Sequence, residues 1–388
     1  MASTGGQGTE HGVRRRRRLA LTLILTAVIA VAATLIALAL LVPGAALLMP
    51  WAASSASGAP TSAAAMPSPS PTPSTPAEAL LATATDPNAC AVSFAGTGIT
   101  MGPQLQTEGK LYQYLPIPQR PRAVFAGWYP SRQAAAAAQT SMRVNGADVV
   151  TCTDRQITLY AAWTTPAAVA AANVGVPILM YHLFTAKPGG EHNWLRLDYV
   201  STGNFDAQMA YLASKHFYLP TWDELNAFID GKLALPHNAV IITDDDADAS
   251  WFQLGVPIID KYKLLSTSFV ITKDRSAPSP STYVLQRSHT NAMHDAGANG
   301  RGKMVNFTAA QVAADMETSA RILGVKEVMA YPFGDYNDTA KQGLREAGFE
   351  MARTTHYGYV RAGTDKLALP CVRISFDTTL DQFVRDVS

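Results

Sequence analysis

Three consecutive carboxylates, Asp244, Asp245 and Asp246, follow an apolar run in the second half of the chain. The apolar residues 240–242 predict a buried strand, and acidic side chains at the C-terminal end of such a strand lie where α/β folds place their chemistry. Like charges a few ångströms apart cannot all stay ionised without a compensating cation. The cluster therefore indicates a metal site.

The chain around this cluster alternates between strand-like and helix-like patterns from about residue 175 to residue 388. Apolar runs predict strands, and amphipathic segments between them predict helices. The strands are expected at 176–181, 240–243, 268–272 and 327–331, and the helices at 204–215, 255–263, 309–323 and 339–347. Such alternation is typical of parallel strands covered by helices.

A smaller folded unit is predicted before it, over residues 86–165. Alternating apolar residues predict strands at 91–94, 148–151 and 157–163, with an Asn-Gly turn signal at 145–146 and an alanine-rich helix at 133–142. Cys90 and Cys152 lie near opposite ends of this unit and could pair in an oxidising compartment, which would leave Cys371 alone.

The N-terminal part of the chain has a different composition. The segment 1–18 ends in five arginines, and the apolar segment 19–42 after it is long enough to span a bilayer at about 20 residues per crossing. The arginines favour a cytoplasmic N-terminus and an extracellular remainder, so we expect a single-pass membrane protein. A cleaved signal peptide is the alternative, although its apolar core should be only about 7 to 15 residues.

Residues 43–85 are rich in Pro, Ser and Ala, a composition that cannot form a core and predicts a disordered linker between membrane and folded units. The formal net charge of the chain is +1, and the one basic cluster lies beside the apolar segment. Nothing in this distribution indicates a nucleic-acid surface.

Two aromatic motifs, at 125–129 and 159–163, resemble the closing motifs of the internalin-type B-repeat, a small β-grasp module of bacterial surface proteins. The resemblance implies that residues 86–165 form a spacer or wall-contact module without catalysis. Its aromatic residues are expected to belong to the core of the module rather than to a sugar platform.

Four ordered motifs in the second unit resemble those of the polysaccharide deacetylases, carbohydrate esterase family 4, and most closely the branch that acts on poly-N-acetylglucosamine. They stand at 176–182, 239–246, 288–294 and 330–334. The resemblance covers residues 175–388 and implies an α/β fold of the distorted (β/α) barrel type.

The first family motif usually reads Thr-Phe-Asp-Asp-Gly. Carried over by position, Asp245 matches the general base and Asp246 the metal-binding aspartate. Asp244 then stands in place of phenylalanine and Ala247 in place of glycine, which puts the geometry of the loop in doubt.

The second motif adds two histidines, His289 and His294. Their five-residue spacing would turn them apart on a helix by about 140°, so we expect a loop to bring them together. With Asp246 they would form three ligands of a catalytic divalent cation, with Zn²⁺ the default ion.

The remaining roles also follow from the resemblance. The backbone N–H of Phe333 is expected to donate to the oxyanion, Tyr331 is expected to line the sugar cleft, and Ala330 replaces an arginine that commonly orients the base. The late Leu-x-x-His motif that supplies the acid in many members is missing. In the branch of the family with a rearranged order of motifs, the histidine after the Met-Tyr of the first strand supplies this acid, and the resemblance implies that role for His182. His356 is a weaker candidate.

The prediction is an extracellular, membrane-anchored hydrolase that removes N-acetyl groups from N-acetylglucosamine units of a polysaccharide, either peptidoglycan or exported poly-N-acetylglucosamine. The alternatives are a catalytically decayed surface protein that binds glycan or acts as a spacer, and a metal enzyme acting on a small molecule or an O-acetyl ester. Substitution by Asp244, Ala247 and Ala330 favours decay, whereas retention of base and ligands argues against it.

Overall fold

The computed structural model describes residues 75–275, 277–279 and 281–388. The basic segment 1–18, the predicted anchor 19–42 and residues 43–74 of the predicted linker lie outside these residues. None of the helices in the described ranges combines the length and apolarity needed to cross a membrane.

A small β-sheet module comes first. Helix α1 (Pro76–Ala82) lies within the predicted linker and begins with a capping box, in which the Thr75 hydroxyl accepts from the Glu78 N–H and the Glu78 carboxylate accepts from the Thr75 N–H. The sheet has the order β2-β1-β4-β3, with β1 and β4 parallel and the outer pairs antiparallel. Its strands are β1 (Ala89–Ala95), β2 (Gln104–Thr107), β3 (Val124–Tyr129) and β4 (Gln156–Thr164).

Two expectations for this module are wrong. The predicted strand 148–151 contributes only one isolated bridge, between Val149 and Leu111, and β2 takes the place beside β1. The Asp148 carboxylate accepts from the Asn145 N–H (2.9 Å) and holds this segment in a turn. The predicted helix 133–142 is shorter, because α2 (Arg132–Ala137) ends where Ala138 turns left-handed at φ 46°.

The module is closed by a disulfide between Cys90 and Cys152, whose Cα atoms lie 6.3 Å apart, and Cys371 stays free and buried in the next unit. Phe125 and Trp128, two of the aromatic residues in the motifs, are buried and pack edge to face at 5.1 Å. Trp128 and Tyr129 belong to the core, as expected, whereas Tyr160 and Trp163 are only partly buried. Helix α3 (Pro166–Ala172) then leads into the second unit.

Seven parallel strands of the second unit form a closed ring in the order β10-β11-β12-β13-β5-β8-β9, and β6 and β7 form a separate parallel pair. The pairing between β10 and β11 is narrow, with Ser288 and Met329 as its one registered pair. The nine strands are β5 (Ile178–Tyr181), β6 (Leu183–Thr185), β7 (Tyr199–Ser201), β8 (Ile241–Asp244), β9 (Ser266–Val270), β10 (Val284–Ser288), β11 (Val328–Ala330), β12 (Met351–Tyr357) and β13 (Leu369–Arg373).

Six helices pack around this ring; four lie at the predicted positions, and the helices Trp222–Ile229 and Leu380–Val387 were not predicted. Tertiary packing adds one irregular feature: a π-helical turn over Trp251–Gly255 precedes α6, with Trp251 fully buried. The helices are α4 (Thr202–Ser214), α5 (Trp222–Ile229), α6 (Val256–Tyr262), α7 (Ala309–Leu323), α8 (Asp338–Glu346) and α9 (Leu380–Val387).

Module and barrel share one hydrophobic core, which runs from Phe125 and Trp128 through Trp222 and Phe228 into the interior of the ring. The backbone of Phe125 also pairs with the barrel, since its carbonyl accepts from the Ala234 N–H at 2.8 Å. The two units are therefore packed together rather than only tethered.

A buried polar cluster lies at the same contact, and we call Arg143, Asn145, Tyr218 and Glu224 the Glu224 cluster. Asn145 Nδ2 donates to Glu224 Oε2 at 2.6 Å and to the Leu219 carbonyl at 2.8 Å. Arg143 Nη1 donates to the Ala234 carbonyl at 2.7 Å, and its guanidinium lies 3.5 Å from Glu224. Each buried charge is thus paired across the contact between the units.

Candidate active site

The acidic cluster lies where β8 ends. The Asp245 N–H still donates to the Tyr181 carbonyl of β5 at 2.9 Å, so the strand ladder extends to this residue. The chain then turns sharply, with Asp246 at φ 72° and Ala247 at φ 51°. These are left-handed conformations that favour glycine, and Ala247 adopts one where the resembling family has glycine. The alanine therefore does not prevent the turn.

Asp246, His289 and His294 come together at the mouth of the ring. Oδ1 of Asp246 lies 3.2 Å from His289 Nε2 and 3.0 Å from His294 Nε2, and one ligand atom from each of the three falls within 4.8 Å of the others. His289 directly follows β10, and Thr290 at φ 71° turns the chain so that His294 returns to the same point. A loop thus brings together the histidines that a helix would separate.

The chemistry of these atoms fits a bound cation. His289 Nδ1 lies 2.8 Å from the Ala330 carbonyl, which can only accept, so Nδ1 carries a hydrogen and Nε2 is the nitrogen left to face a cation. Asp246 Oδ1 is buried and faces Nε2 of both histidines. One carboxylate oxygen and two imidazole nitrogens that converge on one point are a ligand set that Zn²⁺ and similar cations take. The three residues could therefore hold a divalent cation.

The electrostatics of the cluster favour positive charge. Burial raises the pKa of the Asp246 carboxyl, but His289 and His294 outweigh burial and bring that pKa below its ordinary value. For His294, burial lowers the pKa, and Asp246 outweighs it and raises the pKa. Asp246 therefore stays ionised at neutral pH.

Asp245 lies beside this cluster, buried, with both carboxylate oxygens in contact. Arg353 Nη2 donates to Oδ1, and His182 Nε2 lies 3.5 Å from Oδ2. Burial raises the pKa of Asp245, but Arg353 first and His182 second outweigh it and hold the pKa below its usual range. Burial is the main reason that the pKa of His182 is lowered, although Asp245 opposes it. At neutral pH the pair is thus an ionised carboxylate beside a neutral imidazole.

Asp244 is separated from both functions. It is fully buried, its Oδ2 accepts from Ser268 Oγ at 3.3 Å, and its Oδ1 has no hydrogen-bond partner among the described residues. Burial, followed by the charges of Asp245 and Asp246, raises its pKa well above the ordinary value. These surroundings favour the protonated form of the Asp244 carboxyl.

Comparison with known proteins matches this arrangement to one family. Residues 232–352 match the family model for polysaccharide deacetylase. The barrel is a polysaccharide deacetylase domain. This domain is accordingly a hydrolase domain of that family.

Individual relatives are distant. A poly-beta-1,6-N-acetyl-D-glucosamine N-deacetylase of Staphylococcus aureus is 25% identical over 199 residues, which cover 46% of this chain and 68% of that protein. Among solved structures, the deacetylase PplD of Streptococcus pyogenes is similar at 23% identity and a TM-score of 0.48, over 56% of this chain and 99% of that one. IcaB from Ammonifex degensii is similar at 21% identity and a TM-score of 0.46, over 55% of this chain and 96% of that one.

The third motif of the deacetylase domain places its two predicted residues differently. Phe333 adopts φ 59°, and its exposed ring lies 4.7 Å from that of His294, so it borders the ligand cluster. Tyr331 is 1% exposed, and its hydroxyl donates to the Leu367 carbonyl at 3.1 Å. The expectation that Tyr331 lines the cleft is wrong, because its side chain belongs to the core beneath α7 and α8.

Two further features of the deacetylase domain are the position of the candidate proton donors and a contact from Arg353 to Asp245. Of the two histidines considered as proton donors, His182 is the one within 4 Å of Asp245, and exposed His356 packs against Tyr336 at a ring separation of 5.7 Å. The sequence analysis missed Arg353, which contacts Asp245 from β12. An arginine in an apolar strand was the one available signal, and it does not reveal which carboxylate the arginine meets.

Proposed function

We propose that the deacetylase domain removes N-acetyl groups from N-acetylglucosamine units of a cell-wall or exported polysaccharide. The observation that carries this proposal is the convergence of Asp246, His289 and His294 beside an ionised Asp245. Three protein ligands leave positions open for water and substrate, as a catalytic site requires. A decayed domain has no reason to keep ligands and base at contact distance.

Each residue then has a role. Asp246, His289 and His294 would hold a divalent cation, with Zn²⁺ the expected ion. When bound, the ion lowers the pKa of water and polarises a carbonyl group. Asp245 takes the proton of the attacking water through Oδ2, the oxygen that Arg353 leaves free, and the Phe333 N–H donates to the oxyanion.

Departure of the amine requires a proton. His182 starts neutral, and its Nε2 lies 3.5 Å from the carboxylate that receives the water proton. This short separation gives the proton a route from Asp245 to His182 and on to the leaving nitrogen. His182 is therefore the proposed acid.

Two polymers are candidates. The similarity to a Staphylococcus aureus deacetylase named for poly-beta-1,6-N-acetyl-D-glucosamine supports an exported β-1,6 polymer. The arginines at 14–18 and the apolar segment 19–42 support an anchored enzyme with an extracellular domain, for which peptidoglycan is the nearest substrate. The disulfide between Cys90 and Cys152 supports an oxidising compartment.

The test measures acetate release by the full chain from β-1,6-linked and β-1,4-linked N-acetylglucosamine oligomers and from peptidoglycan, with and without added Zn²⁺. We expect zinc-dependent release from one or more of these polymers, and loss of both bound zinc and activity in Asp246→Ala. Glu317→Ala, which removes an exposed carboxylate from α7, is the control and should retain both. Acetate release that does not depend on Zn²⁺, or no acetate release from any of these polymers, would contradict the proposal.

A further inference from the structure

The third motif lacks the arginine that the family resemblance leads one to expect, and Ala330 stands in its place. Ala330 is the last residue of β11, and its partner in register on β12 is Arg353. Both lie against the interior of the ring, because Ala330 shares a core cluster with Met180 and Phe269, and Arg353 contacts the same two side chains. An arginine at position 330 would therefore lie at the same level as Arg353, on the adjacent strand.

Arg353 is entirely buried, and its contacts fix the guanidinium in one orientation. Nη2 donates to Asp245 Oδ1, and Nη1 donates to the Thr354 carbonyl at 3.1 Å and lies 2.8 Å from Met180 Sδ. The guanidinium carbon also lies 5.3 Å from the centre of the Phe269 ring. A planar, permanently charged group held on three sides is suited to orient a carboxylate.

We propose that Arg353 is the positioning residue of the base Asp245, supplied from β12 in place of the arginine absent from β11. Its bond to Oδ1 leaves Oδ2 directed to the side of His182, where the water proton must be taken. Arg353 and Asp245 are both buried, so each is held in place by its contact with the other. The inference rests on the proposed function, since a base is positioned only for a reaction.

The first test compares Arg353→Ala with the relocated variant Ala330→Arg/Arg353→Ala in the full chain. We expect Arg353→Ala to lower kcat at least about 100-fold, with KM and zinc content within about threefold, because the residue touches neither substrate nor ligands. The relocated arginine should recover at least about tenfold in kcat. Arg143→Ala, which breaks a buried ion pair in the Glu224 cluster, should lower the unfolding midpoint but keep kcat.

Unchanged kcat in Arg353→Ala, or a relocated variant that folds and binds zinc but recovers no activity, overturns the proposal. A second test needs no turnover: the shift in unfolding midpoint caused by Arg353→Ala is compared in the wild-type and Asp245→Asn backgrounds. The proposal requires a much smaller shift in the Asp245→Asn background. Equal shifts overturn it even where activity is normal, whereas a wild-type chain without activity on any glycan refutes the proposed function instead.

Discussion

Three adjacent aspartates differ in their surroundings, and those surroundings give them three different states. Asp244 meets a serine hydroxyl and no cation, so burial raises its pKa. Asp245 meets Arg353, and Asp246 meets two imidazoles, so both keep a lowered pKa despite burial. Burial favours the neutral form of the Asp244 carboxyl, whereas the other two carboxylates are stabilised in the ionised form by different partners. Residue type alone therefore does not assign a role in this cluster.

At the scale of single residues, the proposed role of His182 predicts how its substitution changes kcat. If His182 returns the proton to the leaving amine, His182→Ala should lower kcat by about 100-fold or more, because general acid catalysis commonly contributes that much. Zinc content should not change, since His182 contacts Asp245 and not the ligand cluster. The measurement is steady-state acetate release beside metal analysis, with exposed His192→Ala as the matched control. Full activity in His182→Ala would leave the amine without its proposed acid.

The sequence predicts part of this site well and part of it badly, for a physical reason. Asp246, His289 and His294 stand in short motifs at the ends of strands, and the ends of parallel strands meet at one edge. Arg353 and Tyr331 depend instead on which way a side chain points within its strand. One places its guanidinium on Asp245, and the other turns its ring into the core. That choice is set by packing across the barrel, which local patterns do not contain.

At the scale of elements, the four strands and four helices predicted for the barrel are present, and α7 begins and ends where the pattern predicts. The strands β10 and β13 and the helices α5 and α9 were not predicted. The strand predicted at 148–151 is absent apart from one bridge, because a hydrogen bond to the Asp148 side chain favours a turn over pairing with a neighbouring strand. Asp148 closes a turn on the Asn145 N–H, and Asn145 in turn reaches across to Glu224. The contact between Asn145 of the module and Glu224 of the barrel stabilises the turn, although the local sequence pattern is typical of a strand.

At the scale of elements, the turn closed by Asp148 predicts how the free energy of unfolding depends on pH. Burial is the main reason that the pKa of Asp148 is raised to about 6, with Glu224 adding to the rise and the Asn145 N–H opposing it. A carboxyl whose folded-state pKa is raised costs stability above its unfolded pKa of about 3.9, and the cost grows until the pH passes about 6. Because Asp148 is solvent-exposed, solvent screens much of this cost, and Asp148→Asn should raise the free energy of unfolding by about 1 kcal/mol at pH 7 and by little at pH 4.

Urea unfolding at the two pH values measures this difference. Asparagine keeps an oxygen that can accept from the Asn145 N–H, so the turn is preserved. Glu317→Gln removes an exposed carboxylate and serves as the control at both pH values. An equal effect of Asp148→Asn at pH 4 and pH 7 would mean that its ionisation does not matter for folding.

At the scale of the described molecule, the shared core changes the expected relation between module and barrel. A spacer module would leave the barrel able to fold alone. Here Trp222 and Phe228 of the barrel pack in one cluster with Phe125 and Trp128 of the module, and Glu224 loses its partners Arg143 and Asn145 if the module is removed. The module is therefore part of the support of the deacetylase domain.

Truncation tests this relation. Residues 175–388 alone should unfold at a midpoint about 10 °C or more below that of residues 75–388, because large apolar side chains and a buried carboxylate become exposed. Calorimetry should record one transition for residues 75–388. Two separate transitions, the upper one matching that of the isolated barrel, would show that the units are independent.

The narrow pairing between β10 and β11 also has a consequence for the ring as a whole. One registered pair joins these strands, and the bond from His289 Nδ1 to the Ala330 carbonyl crosses the same gap. Asp246 reaches this point from β8, two strands away along the ring. The ligand cluster therefore lies across the narrowest strand pairing of the ring, and a cation held by Asp246, His289 and His294 would also tie β8 to the junction of β10 and β11.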